Sequence, residues 1–425
     1  MKEKGKRITP ESVFYFLSLT GIIGFLVYAF HAGRNAWIWM IQENNPAIRG
    51  VDFFTHMLFS RDPAAVYEVT SDVAGCFPPL IYFMYHFFFR LGYHPDVPYY
   101  QGWKVVSTDE GYFFVYVIYS LLVILLLCAA VQEIGRRKNR SKDSVLLFLC
   151  LMFSASFLGS GLFVGNSTMI VVALLMFALL LKDSQSKAER EAALILFAVC
   201  AALKIYPAVF GLLYLKEKRW KEAARLTVYG IVLFLAPFAV FGGVKGFGLW
   251  ISHIRNTMGL IEDGRIQFIK GAVYMVAIRL FGSPDAPAVG LAVKVLPLLF
   301  LVLMIALAAV SKNNNRTVFF LISAAVFFPT NSFRYTLCYY AIPLVFWFLS
   351  ERENDTAEDW VKAVCGGMIF TVPVFFGLLT GFRNSFGFYT LTYVELWLYS
   401  FAYILLAAEV IFEGIAWRQR KPGQQ

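Results

Sequence analysis

The sequence predicts an all-α polytopic membrane protein, a bundle of about twelve transmembrane helices with a long first outer loop that carries interfacial helices. Three observations predict it. The 425 residues are 59% hydrophobic and 16% charged, where a soluble chain carries about a quarter charged residues. The apolar residues fall in repeated blocks of about 15 to 22, the length that crosses a bilayer as a helix. The lysines and arginines gather in short loops between those blocks, where they set orientation.

The first block, Val13 to Phe30, follows Lys2, Lys4, Lys6 and Arg7. It has span length and no small-residue cleavage site, so it reads as an uncleaved helix with its N-terminus inside. A first outer loop of about residues 31–111 follows. Within it, Phe77 to Leu91 is short, aromatic and headed by Pro78-Pro79, which suits a helix lying along the surface. If that helix crossed, the block Tyr112 to Ile134 would carry Arg136, Arg137, Lys138, Arg140 and Lys142 to the outside. Five positive charges in seven residues place that loop inside instead.

The blocks then alternate. Val145 to Leu162 runs outward and Thr168 to Leu181 returns to Lys182, Lys187 and Arg190. The block Ala192 to Leu215 holds Lys204 and Pro207 in its middle, and a helix does not pass proline undisturbed. It is expected to turn at LKIYP as two half-crossings, which keeps Lys216, Lys218, Arg219, Lys221 and Arg225 inside. Leu226 to Phe241 leads to a second outer loop of about residues 242–288. Val289 to Val310, Val318 to Phe328, Leu337 to Leu349, Val361 to Leu379 and Val394 to Phe412 complete the count, with both ends inside. The whole chain, residues 1–425, forms one transmembrane domain.

Composition also excludes classes. The formal net charge of +10 serves topology, so no nucleic-acid partner is expected. Cys76, Cys128, Cys150, Cys200, Cys338 and Cys365 form no metal or disulfide pattern, and the histidines show no metal spacing. No cofactor and no metal are expected. No phosphate-binding glycine loop or Walker motif is present, which argues against ATP-driven transport by this chain.

The polar stretch Asn45 to Phe83 is the natural place for chemistry, because a long connector without structure is uncommon unless functional. It carries Asp52, Asp62, Glu68 and Asp72. Asp52 follows Gly50 and precedes aromatics. It reads equally as a proton acceptor at the water–lipid boundary and as a helix N-cap. Lys204 sits in an apolar block, where a lysine either faces an anionic partner or snorkels to the interface. Arg334 and Tyr335 head an inward-going helix and read as an anion site or an interfacial anchor. Asn166, with Gly165, either bonds a sugar or makes a turn. Arg255, with His253, Arg265 and Lys270, makes the second outer loop basic.

These features, in this order, resemble the GT-C superfamily of integral-membrane glycosyltransferases, especially glycosyltransferase family 87, the polyprenyl-phosphate-mannose-dependent mannosyltransferase-like proteins. The resemblance runs through GVDFF, AAVY with Tyr67, CFPPLIYF, GNSTMI, ALKIYPAVFGLLYLKEKRW with Tyr206, and NSFRYTLCYYAIPL, from about Gly50 to Leu344. Phe77 stands where tyrosine is commoner, Asn166 where glutamine is usual, and Arg334 where a histidine is common. The resemblance implies a GT-C-like bundle in the cell membrane with its active site outside. The donor would be a sugar, mannose-like, on a polyprenyl phosphate, and the acceptor a lipid or glycan hydroxyl. It implies Asp52 as general base with inversion, and Lys204, with Arg334, holding the donor phosphate. Tyr67, Asn166, Tyr206, Tyr335 and Arg255 would contact substrate. Two other classes stay open. One is a lipid-linked glycan polymerase or ligase. The other is a flippase or transporter without chemistry, although such chains more often string polar residues along helices at the midplane.

Overall fold

The computed structural model describes residues 8–32, 50–68, 75–92, 110–259, 267–329, 334–371, 384–386, 389–391 and 393–420. Asp72, Arg265 and the whole segment from Tyr93 to Asp109 lie outside the described residues. The described chain is helical but for a two-stranded antiparallel hairpin, β1 (Asn384–Phe386) and β2 (Tyr389–Leu391).

In order, the helices are α1 (Pro10–Ala32), α2 (Val51–Phe59), α3 (Pro79–Leu91), α4 (Glu110–Arg137) and α5 (Ser141–Met152). They continue with α6 (Thr168–Leu181), α7 (Lys187–Leu203), α8 (Leu212–Lys216), α9 (Trp220–Leu235), α10 (Gly243–Gly259) and α11 (Ile269–Phe281). The chain closes with α12 (Pro287–Val310), α13 (Asn314–Phe327), α14 (Ala341–Phe348), α15 (Ala357–Ile369) and α16 (Tyr393–Arg418). Five of the described helices are long and apolar enough to span a membrane: α1, α4, α9 with its continuation to Ala239, α12 and α16. The remaining expected crossings fall on shorter described pieces, and the second half of Val361 to Leu379 lies outside the described residues.

Two blocks read as single runs are broken, and the block expected to turn at LKIYP breaks there. The block from Val145 becomes α5, a stop at Phe153, and a π-helical turn over Ala155–Leu162. The LKIYP block ends α7 at Leu203, takes an extended residue at Lys204 (φ −141°, ψ 126°), and resumes as a 3₁₀ turn over Tyr206–Gly211 before α8. Pro207 causes the break, since it removes an amide donor that a continuous helix needs. The run from Leu337 starts instead as a 3₁₀ turn at Arg334–Tyr340 and becomes α14. The described part of the segment expected as the second outer loop is largely helical, holding α10 and α11.

Burial sorts the helices into layers. In α13 every residue from Arg316 to Phe327 is buried, and in α6 so are Met169, Val171, Val172, Ala173, Leu175 and Met176. A helix apolar on all sides belongs in the centre. Around them, α9 and α12 leave Val228, Ile231, Val232, Leu291, Leu298 and Val302 exposed. That is the outward apolar surface a lipid-facing helix presents.

Ion pairs gather the loops expected on the inner side at one end of the bundle. Arg137 meets Glu189 at 2.8 Å, Lys182 meets Glu217 at 2.5 Å, and Arg219 meets Asp183 at 2.9 Å. Lys216 donates to the Ser311 carbonyl at 2.6 Å. Arg316 pairs with Glu358, with Glu409 at 3.1 Å and with Glu413 at 2.8 Å. Arg352 pairs with Glu11, and the Tyr15 hydroxyl donates to the Asp143 carbonyl at 3.1 Å. The start of α7 and the end of α8 therefore share an end, so the chain turns back at Lys204. Only a reversal there lets residues 182–191 meet residues 216–225.

Candidate active site

At the opposite end, the chain before α2 is clasped to the turn before α6. The Gly50 amide donates to the Phe163 carbonyl at 2.8 Å and the Asp52 amide to the Val164 carbonyl at 3.0 Å. The Tyr116 hydroxyl, from α4, donates to the Leu162 and Phe163 carbonyls at 2.5 and 2.9 Å. The first amides of α2, which lack intrahelical acceptors, are thus supplied by another segment's backbone. Gly165 makes the approach possible. It has φ +76°, and a Cβ there would lie 2.6 Å from the Phe53 Cβ.

This arrangement removes the N-cap reading of Asp52. The N-cap of α2 is Gly50 (φ +64°), with no side-chain cap. Asp52 stands inside the first turn, and its carboxylate points across to Asn166, whose Nδ2 donates to Asp52 Oδ2 at 2.6 Å. The same Asn166 accepts at Oδ1 from the Thr168 amide at 2.9 Å and the Thr168 hydroxyl at 2.7 Å. Lys204 Nζ donates to that oxygen at 3.4 Å. Asn166 is 3% exposed and Lys204 2%. A carboxylate and an ammonium thus touch opposite ends of one buried amide.

Aromatic rings finish the enclosure. Lys204 Nζ lies 4.1 Å from the centre of the Phe77 ring and 5.5 Å from that of Tyr335, within cation–π range. The Lys204 side chain is therefore turned into this cluster and does not snorkel outward. Protein surrounds the half-buried Asp52 on nearly every side. That burial pushes its carboxyl above the ordinary range, while the Asn166 hydrogen bond and the Lys204 charge pull the other way. One turn along α2, His56 is buried among Phe59, Phe77, Tyr82 and Tyr85. Burial, with the Lys204 charge, pushes its imidazole down to about 3, so it is neutral.

The other candidate residues divide. Tyr335 joins the cluster through Lys204, and Tyr206 opens the 3₁₀ turn two residues after it. Arg334 is buried at the head of a 3₁₀ turn, not of an α-helix. Tyr67 is buried and donates its hydroxyl to the Phe77 carbonyl at 3.0 Å, while its own carbonyl meets His253 Nε2 at 2.9 Å. It therefore braces the Cys76–Phe77 segment and docks α10. Arg255 is exposed on α10 and makes none of the bonds that hold the Asp52–Asn166–Lys204 cluster.

Sequence reasoning missed two features. Phe77 was noted only for its place beside the proline pair, yet its face carries the Lys204 charge. Glu409 and Glu413 sit one turn apart inside an apolar helix and are 0% and 1% exposed. That spacing in an apolar block was the available signal.

The model of Glycosyltransferase family 87 matches residues 108–333, more than half of the chain. The matched stretch holds Asn166, Lys204 and Tyr206. No curated protein matches the chain.

Proposed function

We propose a reaction from one premise: the chain belongs to glycosyltransferase family 87. It is a glycosyltransferase and a multi-pass membrane protein with several apolar spans. The donor is a sugar, mannose-like, on a polyprenyl phosphate, and the acceptor is a lipid or glycan hydroxyl, met at the outer face of the cell membrane. The chain crosses about twelve times with both ends inside, using half-length segments at Lys204.

Asp52 acts as general base. It takes the proton of the acceptor hydroxyl as that oxygen bonds to the anomeric carbon. The bond from that carbon to the phosphate oxygen breaks on the opposite side, so configuration inverts, and the electron pair leaves with the polyprenyl phosphate. Lys204 holds the phosphate and balances its growing charge, an electrostatic role of the kind that contributes most to such transfers. Tyr206, Tyr335 and Arg334 line the donor side, with Arg334 a second cation for the phosphate.

The observation that carries this reading is the amide of Asn166 shared by Asp52 and Lys204. It brings together the one carboxylate and the one lysine that the reaction needs, from segments far apart in the chain.

The test is Asp52→Asn in a deletion strain, read by mass spectrometry of envelope glycolipids. The amide keeps the size and the acceptor for Asn166 but does not take a proton. Transfer is expected to fall on the order of 100-fold or more with expression intact. Transfer at the wild-type rate would move the base to Asp62 or Asp72. A lipid-linked sugar that still crosses the membrane, with no transfer dependent on any of the three, would favour a flippase.

A further inference from the structure

We infer that Asn166 is a positioning residue, one that selects which Asp52 oxygen serves as the base and keeps Asp52 and Lys204 from closing into an ion pair. The inference rests on the reaction proposed above.

The orientation of the amide is not arbitrary. Its Oδ1 faces three donors: the Thr168 amide at 2.9 Å, the Thr168 hydroxyl at 2.7 Å and Lys204 Nζ at 3.4 Å. A flipped amide would set its own N–H groups against a backbone N–H and an ammonium, neither of which accepts. The NH2 group must therefore face Asp52, where it donates to Oδ2 at 2.6 Å. A lone pair of Oδ2 is engaged by that bond. Among the described residues, Oδ1 of Asp52 has no hydrogen-bond partner and remains the oxygen able to take a proton.

The amide dipole also runs the useful way. Its donor end meets the carboxylate and its acceptor end meets the ammonium. A direct ion pair would neutralise both charges and occupy the atoms that acceptor and donor phosphate require. An amide separates them and carries no charge at any working pH. Gly165 and the backbone clasp at Phe163 and Val164 fix where Asn166 stands. At 3% exposure, with its oxygen fully used, the side chain suits this role better than contact with a sugar.

The titratable groups facing Asp52 are Lys204, Cys76, Tyr85, Tyr116, Tyr119 and Tyr335. Phenols and thiols titrate at or above about 8.5, outside the acid limb of a pH–rate profile. His56, one turn along α2, titrates lower, at about 3, while the Asp52 carboxyl is raised, so the upper part of that limb reports Asp52.

The experiment uses the purified full chain with polyprenyl-phosphate-linked mannose as donor and envelope lipids of the deletion strain as acceptor. Asn166→Ser leaves a hydroxyl for the Thr168 amide but is too short to reach Asp52. Losing a charge-assisted hydrogen bond predicts a kcat lowered about 10- to 100-fold. The donor KM should hold, and the acid limb should move up, because the bond that favoured the ionised carboxyl is gone. Asn166→Asp puts a negative charge beside Lys204 and should also weaken binding of polyprenyl phosphate alone, measured by thermal shift. A raised donor KM with an unmoved acid limb would overturn the inference in favour of a substrate contact. A lowered Tm with kcat and acid limb unchanged would overturn it in favour of a turn. Should Asn166→Ser not purify folded, Thr168→Val removes one donor to the same oxygen and should shift the limb in the same direction; no shift overturns the inference. Asp52→Asn, run in parallel, separates the two levels. If it is active, the proposed reaction fails; if it is inactive while Asn166→Ser leaves the acid limb in place, only the positioning role fails.

Discussion

Lys204 Nζ stands 4.1 Å above the ring of Phe77, a buried ammonium resting on an aromatic face. Burying a charge is costly unless something compensates it, and here the ring quadrupole and the Asn166 oxygen do so. Phe77→Tyr keeps the face and is expected to retain activity. Phe77→Leu removes it, at about 2 kcal/mol for a desolvated cation–π contact, and should raise the donor KM well above that of wild type. Equal donor KM values for the two variants would show that the ring does not hold Lys204.

Asp52 should cost stability at neutral pH. Its folded carboxyl titrates above the ordinary value, so between the unfolded and folded pKa values the native state binds more protons than the unfolded one. Stability therefore falls as pH rises through that window and is level above it. Asp52→Asn is expected to raise Tm at pH 7, with the gain vanishing below the unfolded carboxyl pKa of about 3.9. The activity of the wild-type chain should fall on the acid side with a midpoint above that value. A lower Tm for Asp52→Asn at pH 7 would mean that the charge stabilises the fold.

Gly165→Ala should break the clasp. Alanine resists φ +76°, and its Cβ would sit 2.6 Å from that of Phe53, the residue after Asp52. A loss of about 2 kcal/mol or more is expected, with kcat falling because α2 must shift. Gly230→Ala in α9, where a Cβ meets nothing within 4 Å, is the control and should be neutral or slightly stabilising. Thermal unfolding of both variants in detergent decides it.

His56→Phe tests whether the neutral imidazole does chemistry. Nδ1 of His56 is buried without a hydrogen-bond partner among the described residues, and a polar atom so placed destabilises by about 1–3 kcal/mol. Phenylalanine is close in size and suits the ring of Phe59, Phe77, Tyr82 and Tyr85. Tm should rise and transfer should persist. A raised Tm with lost transfer would bring His56 into the reaction.

Arg316→Met tests the ion-pair end. It leaves the buried Glu409 and Glu413, and the neighbouring Glu358, short of a cation. Breaking one partner of a buried pair costs about 3–5 kcal/mol. Tm should drop sharply, while the kcat of the surviving folded fraction, measured below the unfolding transition, stays near wild type because the Asp52–Asn166–Lys204 cluster lies at the other end.

Lys204 was legible as a candidate because it lies in an apolar block, and Asp52, Asn166 and Tyr335 because they stand in the turns and polar stretches between such blocks. The break at Lys204 was legible because Pro207 removes a backbone donor. Their partnership was not. Asp52 and Asn166 are 114 positions apart, and no local pattern encodes which loop will cap which helix. Arg255 was read from charge alone, and charge does not say whether an exposed arginine meets substrate. The contact of Phe77 with Lys204 went unread because one phenylalanine among 43 carries no signal until a cation is seen above it.

By itself, then, the sequence determined the helical membrane class, the grouping of basic loops, the interruption at LKIYP and a short set of polar candidates. These follow from hydropathy and backbone chemistry, which act over a few neighbouring residues. Only the tertiary structure decided that Asp52 is not a helix cap, that Lys204 turns inward onto Phe77 and Tyr335, and that Asn166 stands between the two charges. Those outcomes depend on which segments pack together. The backbone clasp of Gly50 and Asp52 onto Phe163 and Val164 is a long-range pairing, fixed by the close approach that Gly165 permits.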